Sequence, residues 1–402
     1  MGLTDRARAE ALDASDPLAG FHDRFVFADD DTIYLDGNSL GRLPHMVAKR
    51  IAGGVESWAA RMVGGWDEWI ELPAAVGDRL AAACLGASSG EVLVCDSTTV
   101  NIFKLAQAAL QLRSGAIVTD EGNFPTDRYV LEGVARQCNR RLILVESVEE
   151  ALAVREAALV CLSHVDYRSG RLLDLVSLTR ATDALVLWDL SHSVGAVPID
   201  LSPADLAVGC TYKYLNAGPG APAFLYVRRG LQAELRSPIQ GWFGQRVQFA
   251  MGPRYEPVRG IERFLAGTPS VLGTLAVDAG VQLVAEAGIQ RIAAKNAALT
   301  DLLIELFDAW LVDLDFELGT PRESSQRGAH VSLRHPEAWR IARALIERAN
   351  VVPDHRPPDL VRFGVSALYV RFVDVWEAMR RLHGLVVSGV HHQVSAEPRR
   401  VT

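Results

Sequence analysis

"ALVLWDLSHSVGAVPIDLSPADLAVGCTYKYLNAGPGAPAFLYVR", Ala184 to Arg228, contains three apolar, β-rich runs: "ALVLWDLS" (Ala184–Ser191), "LAVGCTY" (Leu206–Tyr212) and "AFLYVR" (Ala223–Arg228). They are largely continuous apolar runs, the pattern of strands covered on both faces. Four similar runs precede them: "EVLVCDS" (Glu91–Ser97), "AIVTDEG" (Ala116–Gly122), "RLILVES" (Arg141–Ser147) and "ALVCLSHV" (Ala158–Val165). Helical patterns lie between, at Thr99–Arg113, Thr126–Arg136 and Ser177–Thr182. Strand–helix alternation with short loops predicts an α/β fold around a mainly parallel, seven-stranded sheet.

Past Gly267 the character changes. A long helical pattern, "SVLGTLAVDAGVQLVAEAGIQRIAAKNAALTDLLIELFDAW", leads into "AHVSLRHPEAWRIARALIERANVV" and "RFGVSALYVRFVDVWEAMRRL". That strand–helix–strand–helix order suits a smaller α+β C-terminal domain. The expected organisation is an N-terminal segment, 1–45, packing with the small domain, a large α/β domain at 46–285, and the small domain at 286–402. No internal repeat or low-complexity linker interrupts them.

The chain has 402 residues, 49% hydrophobic and 22% charged, ordinary for a globular protein and enough for a sizeable core. Net charge is −8 with both signs interleaved, so no basic face points to nucleic acid or anionic lipid. Arg399-Arg400 reads as a solvated tail. Five scattered cysteines, Cys84, Cys95, Cys138, Cys161 and Cys210, form no C-x-x-C pair and no metal-like spacing. They read as reduced thiols of a cytoplasmic protein, and no metal site is expected. The charged N-terminus lacks the apolar core of a signal peptide, and Arg6 excludes a myristoylation motif after Gly2. No run approaches the roughly 20 apolar residues that span a bilayer.

In open α/β sheets, ligands sit beyond the carboxyl ends of the strands. Polar and glycine-rich residues gather there: Ser97-Thr98-Thr99, Asn123–Asp127, Ser163, Asp189–His192 and Tyr212-Lys213. Taken alone, Asp189 reads equally as a turn or N-cap aspartate, His192 as a core histidine, and Lys213 as a snorkelling strand-end lysine. Together they bring a carboxylate, an imidazole and an amine to one crevice. Burial and nearby cations make an amine a nucleophile for carbonyls, and Gly218-Pro219-Gly220 permits close backbone approach. A Schiff-base lysine needs an aldehyde, and pyridoxal 5'-phosphate (PLP) is the common one. Asp189 would suit its pyridinium nitrogen, and Thr98 and Thr99, where strand turns into helix, its phosphate. Phe124 would stack on the ring with Asp127 as a polar neighbour. In isolation these two segments read as an N-cap and a turn.

"YLDGNSLGRLP", "DSTTVNIFK", "NFPTD", "WDLSHSVGAVPIDL", "TYKYLNAGPGAPAFLYV", "GWFGQ", "GTPSVL" and "PDHRPPDLVRFGVSALY" occur in that order. Together they resemble kynureninase of the bacterial type, a fold-type I, class V aminotransferase-like PLP enzyme, from about Tyr34 to the helix of Trp376. The resemblance implies Lys213 as the Schiff-base lysine and Tyr212 as a phosphate contact and proton donor. It implies that Thr98, Thr99, Phe124, Asp127, Ser163, Asp189 and His192 contact the cofactor. Trp242 and Thr268 would be donated across the interface of a homodimer with shared sites. Arg362 would hold the substrate α-carboxylate by a bidentate pair, with Asn38 and Ser39 lining the substrate end. The implied reaction is hydrolysis of L-kynurenine to anthranilate and L-alanine, in tryptophan catabolism and NAD biosynthesis.

Two positions depart from the family pattern: Gln245 replaces a histidine after "GWFG", and "FGVSALY" lacks a proline before its leucine. Both lie near the expected substrate pocket and leave open a 3-hydroxy- or otherwise ring-substituted kynurenine of secondary metabolism. Trp66 and Thr268 match the family's ring-specificity positions and favour kynurenine, although Trp66 also reads as a packed core aromatic. A cysteine desulfurase would need a mobile thiol late in the chain, whereas the last cysteine is Cys210. A catalytically silent member is opposed by the intact Lys213, Asp189 and Arg362.

Overall fold

The computed structural model describes residues 5–29 and 31–395. The readings made on Gly2 and on Arg399-Arg400 lie outside them. After a two-residue strand β1 (Ile33–Tyr34), seven strands build the main sheet. These are β2 (Val92–Val94), β3 (Ala116–Asp120), β4 (Leu142–Val145), β5 (Ala157–Ser163), β6 (Leu185–Asp189), β7 (Leu206–Gly209) and β8 (Phe224–Val227). Their order is β2-β8-β7-β6-β5-β3-β4. The β3–β7 pairs are parallel, while β8 runs antiparallel to both β7 and β2. Parallel neighbours need long crossovers, commonly helices, whereas β8 returns directly from the turn after Lys213.

The apolar continuity of these strands follows from their position. Val92, Val94, Trp188 and Tyr226 fill the core on one face of the sheet, and Leu93, Leu187, Val208 and Leu225 the other. Each such fully buried side chain contributes about 1.5–3 kcal/mol relative to exposure. Only β4, at the edge, is partly exposed along its length.

The expected strands ran too far at their carboxyl ends. "LAVGCTY" stops at Gly209, because Cys210–Lys213 turn away into side-chain bonds. Thr211 Oγ1 donates to the Pro222 carbonyl (2.7 Å), and Ala217 N to the Thr211 carbonyl (3.1 Å). Helices begin one or two residues earlier than expected, at Thr98, Pro125 and Leu175, because Ser97 and Asp174 cap two of them and Pro125 opens the third. The long pattern after Gly267 is two helices, Val271–Ala287 and Ile289–Trp310, bent by 79°. Gly288 takes φ 81° at the break, a conformation that any Cβ would strain. No single described helix is long and apolar enough to cross a membrane.

The C-terminal part carries β9 (Glu317–Leu318), β10 (His330–Arg334), β11 (Val351–Val352), β12 (Asp354–Arg356) and β13 (Leu360–Gly364). Four of them form an antiparallel sheet in the order β12-β13-β10-β9, with helices Ala338–Ala349 and Phe372–Val387. The register sets Arg362 opposite both Ser332 and Asp354. The N-terminal residues lie against this part: β1 pairs in parallel with β11. Asp13 accepts from Phe372 N (2.8 Å) and Val373 N (3.0 Å), capping the last long helix. A buried Lys295–Asp16 pair at 2.6 Å adds a second tie.

Candidate active site

The parallel register aligns Ser163 with Asp189 and Asp189 with Val208, so three strand ends share one edge. Asp189 closes β6 and accepts from Ser191 N (2.9 Å) and Ser191 Oγ (2.6 Å). It is thus a turn aspartate and a site carboxylate at once. Asp127, in the first turn of the helix Pro125–Gln137, is buried next to it, and its Oδ2 has no hydrogen-bond partner. Burial, and then the Asp189 charge, push the Asp127 carboxyl far above the usual range, with Lys213 opposing. Asp189 is raised less, because Ser191 and Lys213 offset its burial. Both shifts favour a pair that retains a proton over one with two buried negative charges.

Lys213 Nζ lies 2.9 Å from His192 Nε2. Burial, reinforced by the lysine charge, holds His192 well below its ordinary value, so the ring is neutral and Nε2 accepts from the amine. Its Nδ1 is then the protonated nitrogen, and it is buried without a partner. The Tyr212 ring centroid is 6.0 Å from Nζ. The Cys210 thiol beside Tyr212, followed by burial, raises its phenol, which stays protonated. Gly41 of the "GNSLG" loop donates its N–H to the Tyr212 carbonyl (2.8 Å). A Cβ at Gly41 would sit 2.2 Å from the Lys213 carbonyl oxygen, so the loop reaches the lysine turn only with glycine there.

Ser163 and Phe124 are joined through Asn123, which the sequence placed at the strand ends without a role of its own. Its Oδ1 accepts from Ser163 Oγ and from Phe124 N, each at 2.7 Å, while its Nδ2 donates to Thr119 Oγ1 (2.9 Å). Phe124 meets Tyr167 edge-on at 5.1 Å, and the Tyr167 carbonyl accepts from Arg362 Nη1. Arg362 is fully buried, with Asp354, Ser39 and Asn38 around it. Nη2 pairs with the Asp354 carboxylate and donates to Ser39 Oγ (3.3 Å). With its carboxamide oxygen turned inward, Asn38 accepts from Arg362 Nε (3.0 Å) and Nη2 (2.9 Å). The arginine thus has an internal carboxylate partner, beyond the open fork expected. Arg356, more exposed, shares Asp354 at 3.0 Å. Neither Asp354 nor Arg356 was singled out, since strand pairing across β12 and β13 brings them in.

Thr98 and Thr99 open the helix Thr98–Leu112, capped by Ser97 Oγ on Val100 N (3.3 Å). First-turn N–H groups of a helix this long suit an anion. Beneath them, Lys104 is completely buried, which its place in a helical pattern did not reveal. Its Nζ donates to Asp96 Oδ2 (2.6 Å) and to the Phe264 carbonyl (2.7 Å). Trp66 and Trp242 both pack on Phe243, and Thr268 lines a cavity with Asp96 and Gly220. The Trp66 ring is 5.9 Å from Phe243 and also meets Trp69, Trp242 is 37% exposed, and Thr268 is exposed. Gln245 is bound to its own loop, accepting from Glu256 N (2.6 Å) and donating to the Arg254 carbonyl (3.3 Å).

The set fits PLP. Two adjacent buried carboxylates, one oxygen unpartnered, suit a protonated ring nitrogen, and an amine and a helix N-terminus flank them. Comparisons agree. Residues 292–382 match the family model described as the kynureninase C-terminal domain. The chain is 42% identical over 398 residues to a kynureninase of Pseudomonas fluorescens, covering 94% of this chain and 95% of the relative. It is 41% identical to a kynureninase of Burkholderia pseudomallei, covering 96% of each. Among solved structures, a cysteine desulfurase of Thermococcus onnurineus matches with TM-score 0.76 at 19% identity, covering 94% and 98% of the two chains. A C-DES variant with glycine covalently linked to its PLP cofactor matches with TM-score 0.75 at 16% identity, covering 96% and 98%. At such identities these two likenesses speak for the fold.

Proposed function

Because the chain belongs to the kynureninase family, we propose the following residue roles in the PLP-dependent hydrolysis of L-kynurenine to anthranilate and L-alanine. The supporting observation is the Lys213–His192 contact beside the Asp127–Asp189 pair, at the carboxyl edge of the sheet. PLP, when bound, supplies an aldehyde for amines and a protonated ring that accepts electrons from the substrate α-carbon. Asp189 keeps that ring nitrogen protonated, and a proton retained by the Asp127–Asp189 pair avoids two negative charges side by side in the core. Phe124 covers the ring, Ser163 and His192 border it, and Thr98, Thr99 and Tyr212 hold the phosphate. Lys213 takes the α-proton. Arg362, with Asn38 and Ser39, orients the α-carboxylate. The raised Tyr212 phenol keeps a proton to return to the alanine β-carbon once anthranilate has left. Bonds balance with one water: its hydroxyl joins the γ-carbonyl carbon, and its hydrogen balances the proton gained at Cβ.

The working form we propose is a homodimer. Trp242 together with Phe249 (69% exposed) and Met251 (73% exposed) presents an apolar surface of the kind that marks an interaction face. The same loop would bring Trp242 and Thr268 to the partner's site, with Trp66 packed behind it. The free thiols fit a cytoplasmic setting. The 46–285 and 286–402 division is proposed as two domains meeting near the Gly288 bend. The relatives favour kynurenine over ring-substituted analogues. The test is purified protein with PLP and a panel of kynurenine, 3-hydroxykynurenine and ring-substituted analogues, followed by anthranilate-type fluorescence. Kynurenine should be turned over best; no turnover of any panel member would overturn the reading.

A further inference from the structure

Away from the crevice, the C-terminal turn folds back on the start of the helix Ala338–Ala349. Glu337 is the residue before that helix, and His391 and His392 lie in the short turn Val390–Gln393 that follows the last long helix. Trp339 Nε1 donates to the Ser395 carbonyl (3.2 Å) and holds the two segments together. Glu337 Oε2 is 3.4 Å from His391 Nε2 and 3.3 Å from His392 Nδ1, and the two imidazole centroids are 4.0 Å apart. The three potential ligand atoms lie within 4.8 Å of one another.

Those separations have a specific chemical meaning. Charge-assisted N–H···O bonds draw their atoms to about 2.7–2.9 Å. Ligands about 2.0–2.1 Å from a tetrahedral zinc stand about 3.3–3.4 Å from each other. Glu337 Oε2 is at that second distance from both imidazoles. His391 is 3% exposed with Nδ1 unpartnered, so burial fixes the ring with Nε2 toward the carboxylate. His392 is largely exposed and leaves the cluster open to solvent. Neighbouring groups set its limits. Arg340 Nη1 donates to Glu337 Oε1 (2.9 Å), orienting the carboxylate from the outer side while adding a nearby cation. His335 Nδ1 is occupied by Glu337 N (2.9 Å), so it steadies the glutamate without joining the ligands.

We propose that Glu337, His391 and His392 bind a divalent transition metal of the zinc class, with a fourth, water-filled position facing solvent. Two imidazoles and one carboxylate select such a metal over calcium or magnesium, which prefer all-oxygen sites. The ion clamps the C-terminal turn to the small domain and takes no part in kynurenine cleavage.

The test uses the chelator-treated, PLP-loaded enzyme titrated with Zn2+ by calorimetry and with Co2+ by visible spectroscopy. The expected result is one equivalent of Zn2+ per chain, tetrahedral Co2+ bands, and a thermal midpoint that rises with added Zn2+. His392→Ala and Glu337→Gln change exposed or half-exposed side chains. Each should weaken binding by at least about tenfold, as loss of even an outer-shell partner does, and abolish the thermal rise while turnover stays unchanged. Absence of a saturable equivalent would overturn the proposal. So would affinity unchanged in either variant, which would place the metal elsewhere.

Discussion

Replacing Lys104 by methionine isolates a buried cation beneath the loop that carries Thr98 and Thr99. The methionine keeps most of the side chain's length and packing while deleting the charge. Three partners are left behind: Asp96, formerly at 2.6 Å, the Phe264 carbonyl, formerly at 2.7 Å within a fully buried residue, and the weaker Cys95 Sγ contact at 3.6 Å. Breaking a buried ion pair from one side costs about 3–5 kcal/mol. The Asp96 side chain keeps 32% exposure, so water recovers part of that loss. The orphaned carbonyl adds about 1–3 kcal/mol. A net destabilisation of about 3 kcal/mol is expected. It should be visible in urea unfolding followed by far-UV circular dichroism, on protein without cofactor. Asp96 also takes φ 48° immediately before Ser97, a conformation uncommon for a non-glycine residue. Releasing it should loosen the Thr98–Thr99 turn and weaken PLP in a reconstitution titration. Lys104→Met with Asp96→Asn removes the stranded charge and should regain part of the stability. A single variant within about 1 kcal/mol of the parent, below the cost of the carbonyl alone, would refute the reasoning.

Other outcomes follow from the same geometry. Lys213→Ala should lose both the visible absorbance of bound PLP and turnover; surviving kynurenine cleavage would contradict its assignment. Asp354→Asn strips buried Arg362 of its counter-ion and should cost about 3–5 kcal/mol, part of which added L-alanine restores. If L-alanine stabilises parent and variant equally, Arg362 does not receive the substrate carboxylate. Burial, then the Asp354 charge, hold Asp36 at about 7 instead of 3.8. The folded chain therefore binds this proton more tightly than the unfolded one, and its favourable contribution is lost as pH rises from about 4 through about 7. Asp36→Asn should stabilise the protein more at pH 8 than at pH 5, and an equal thermal shift at both would be the wrong answer. Gln245→His breaks the bonds to Glu256 and Arg254 and should reorder the kynurenine panel while leaving the PLP absorbance intact. An unchanged ranking would remove Gln245 from the specificity argument.

The main sheet was legible because its strands are covered on both faces, so burial writes itself into continuous apolar runs. Strand ends were less so: Cys210–Tyr212 look as β-prone as the residues before them, and only side-chain bonds to Pro222 and Ser191 turn them away. The lysine, the two aspartates and His192 could be placed at one edge because the parallel strands β3 to β7 all end there. Asp354, Arg356 and Lys104 were not foreseeable in the same way. Their environments come from partners remote in sequence, such as Phe264 for Lys104, and a helical pattern does not say which lysine faces inward. The Gly288 bend was overlooked because apolar periodicity continues on both sides of it.

The antiparallel strand β8 has a mechanical consequence. Its first residues are stitched to the end of β2, with Cys95 N on the Ala223 carbonyl (2.8 Å) and Ala223 N on the Asp96 carbonyl (2.9 Å). The turn carrying Lys213 and the loop carrying Thr98 are therefore two ends of a single hydrogen-bonded frame. A cofactor gripped at its aldehyde and its phosphate would be held in a gauge of fixed span, which neither end can widen alone. Freedom to admit substrate and release product must then come from the other wall, where Asn38, Ser39 and Arg362 hang on the N-terminal loop and the small sheet. That wall touches the frame at the lysine turn, through Gly41 N on the Tyr212 carbonyl (2.8 Å).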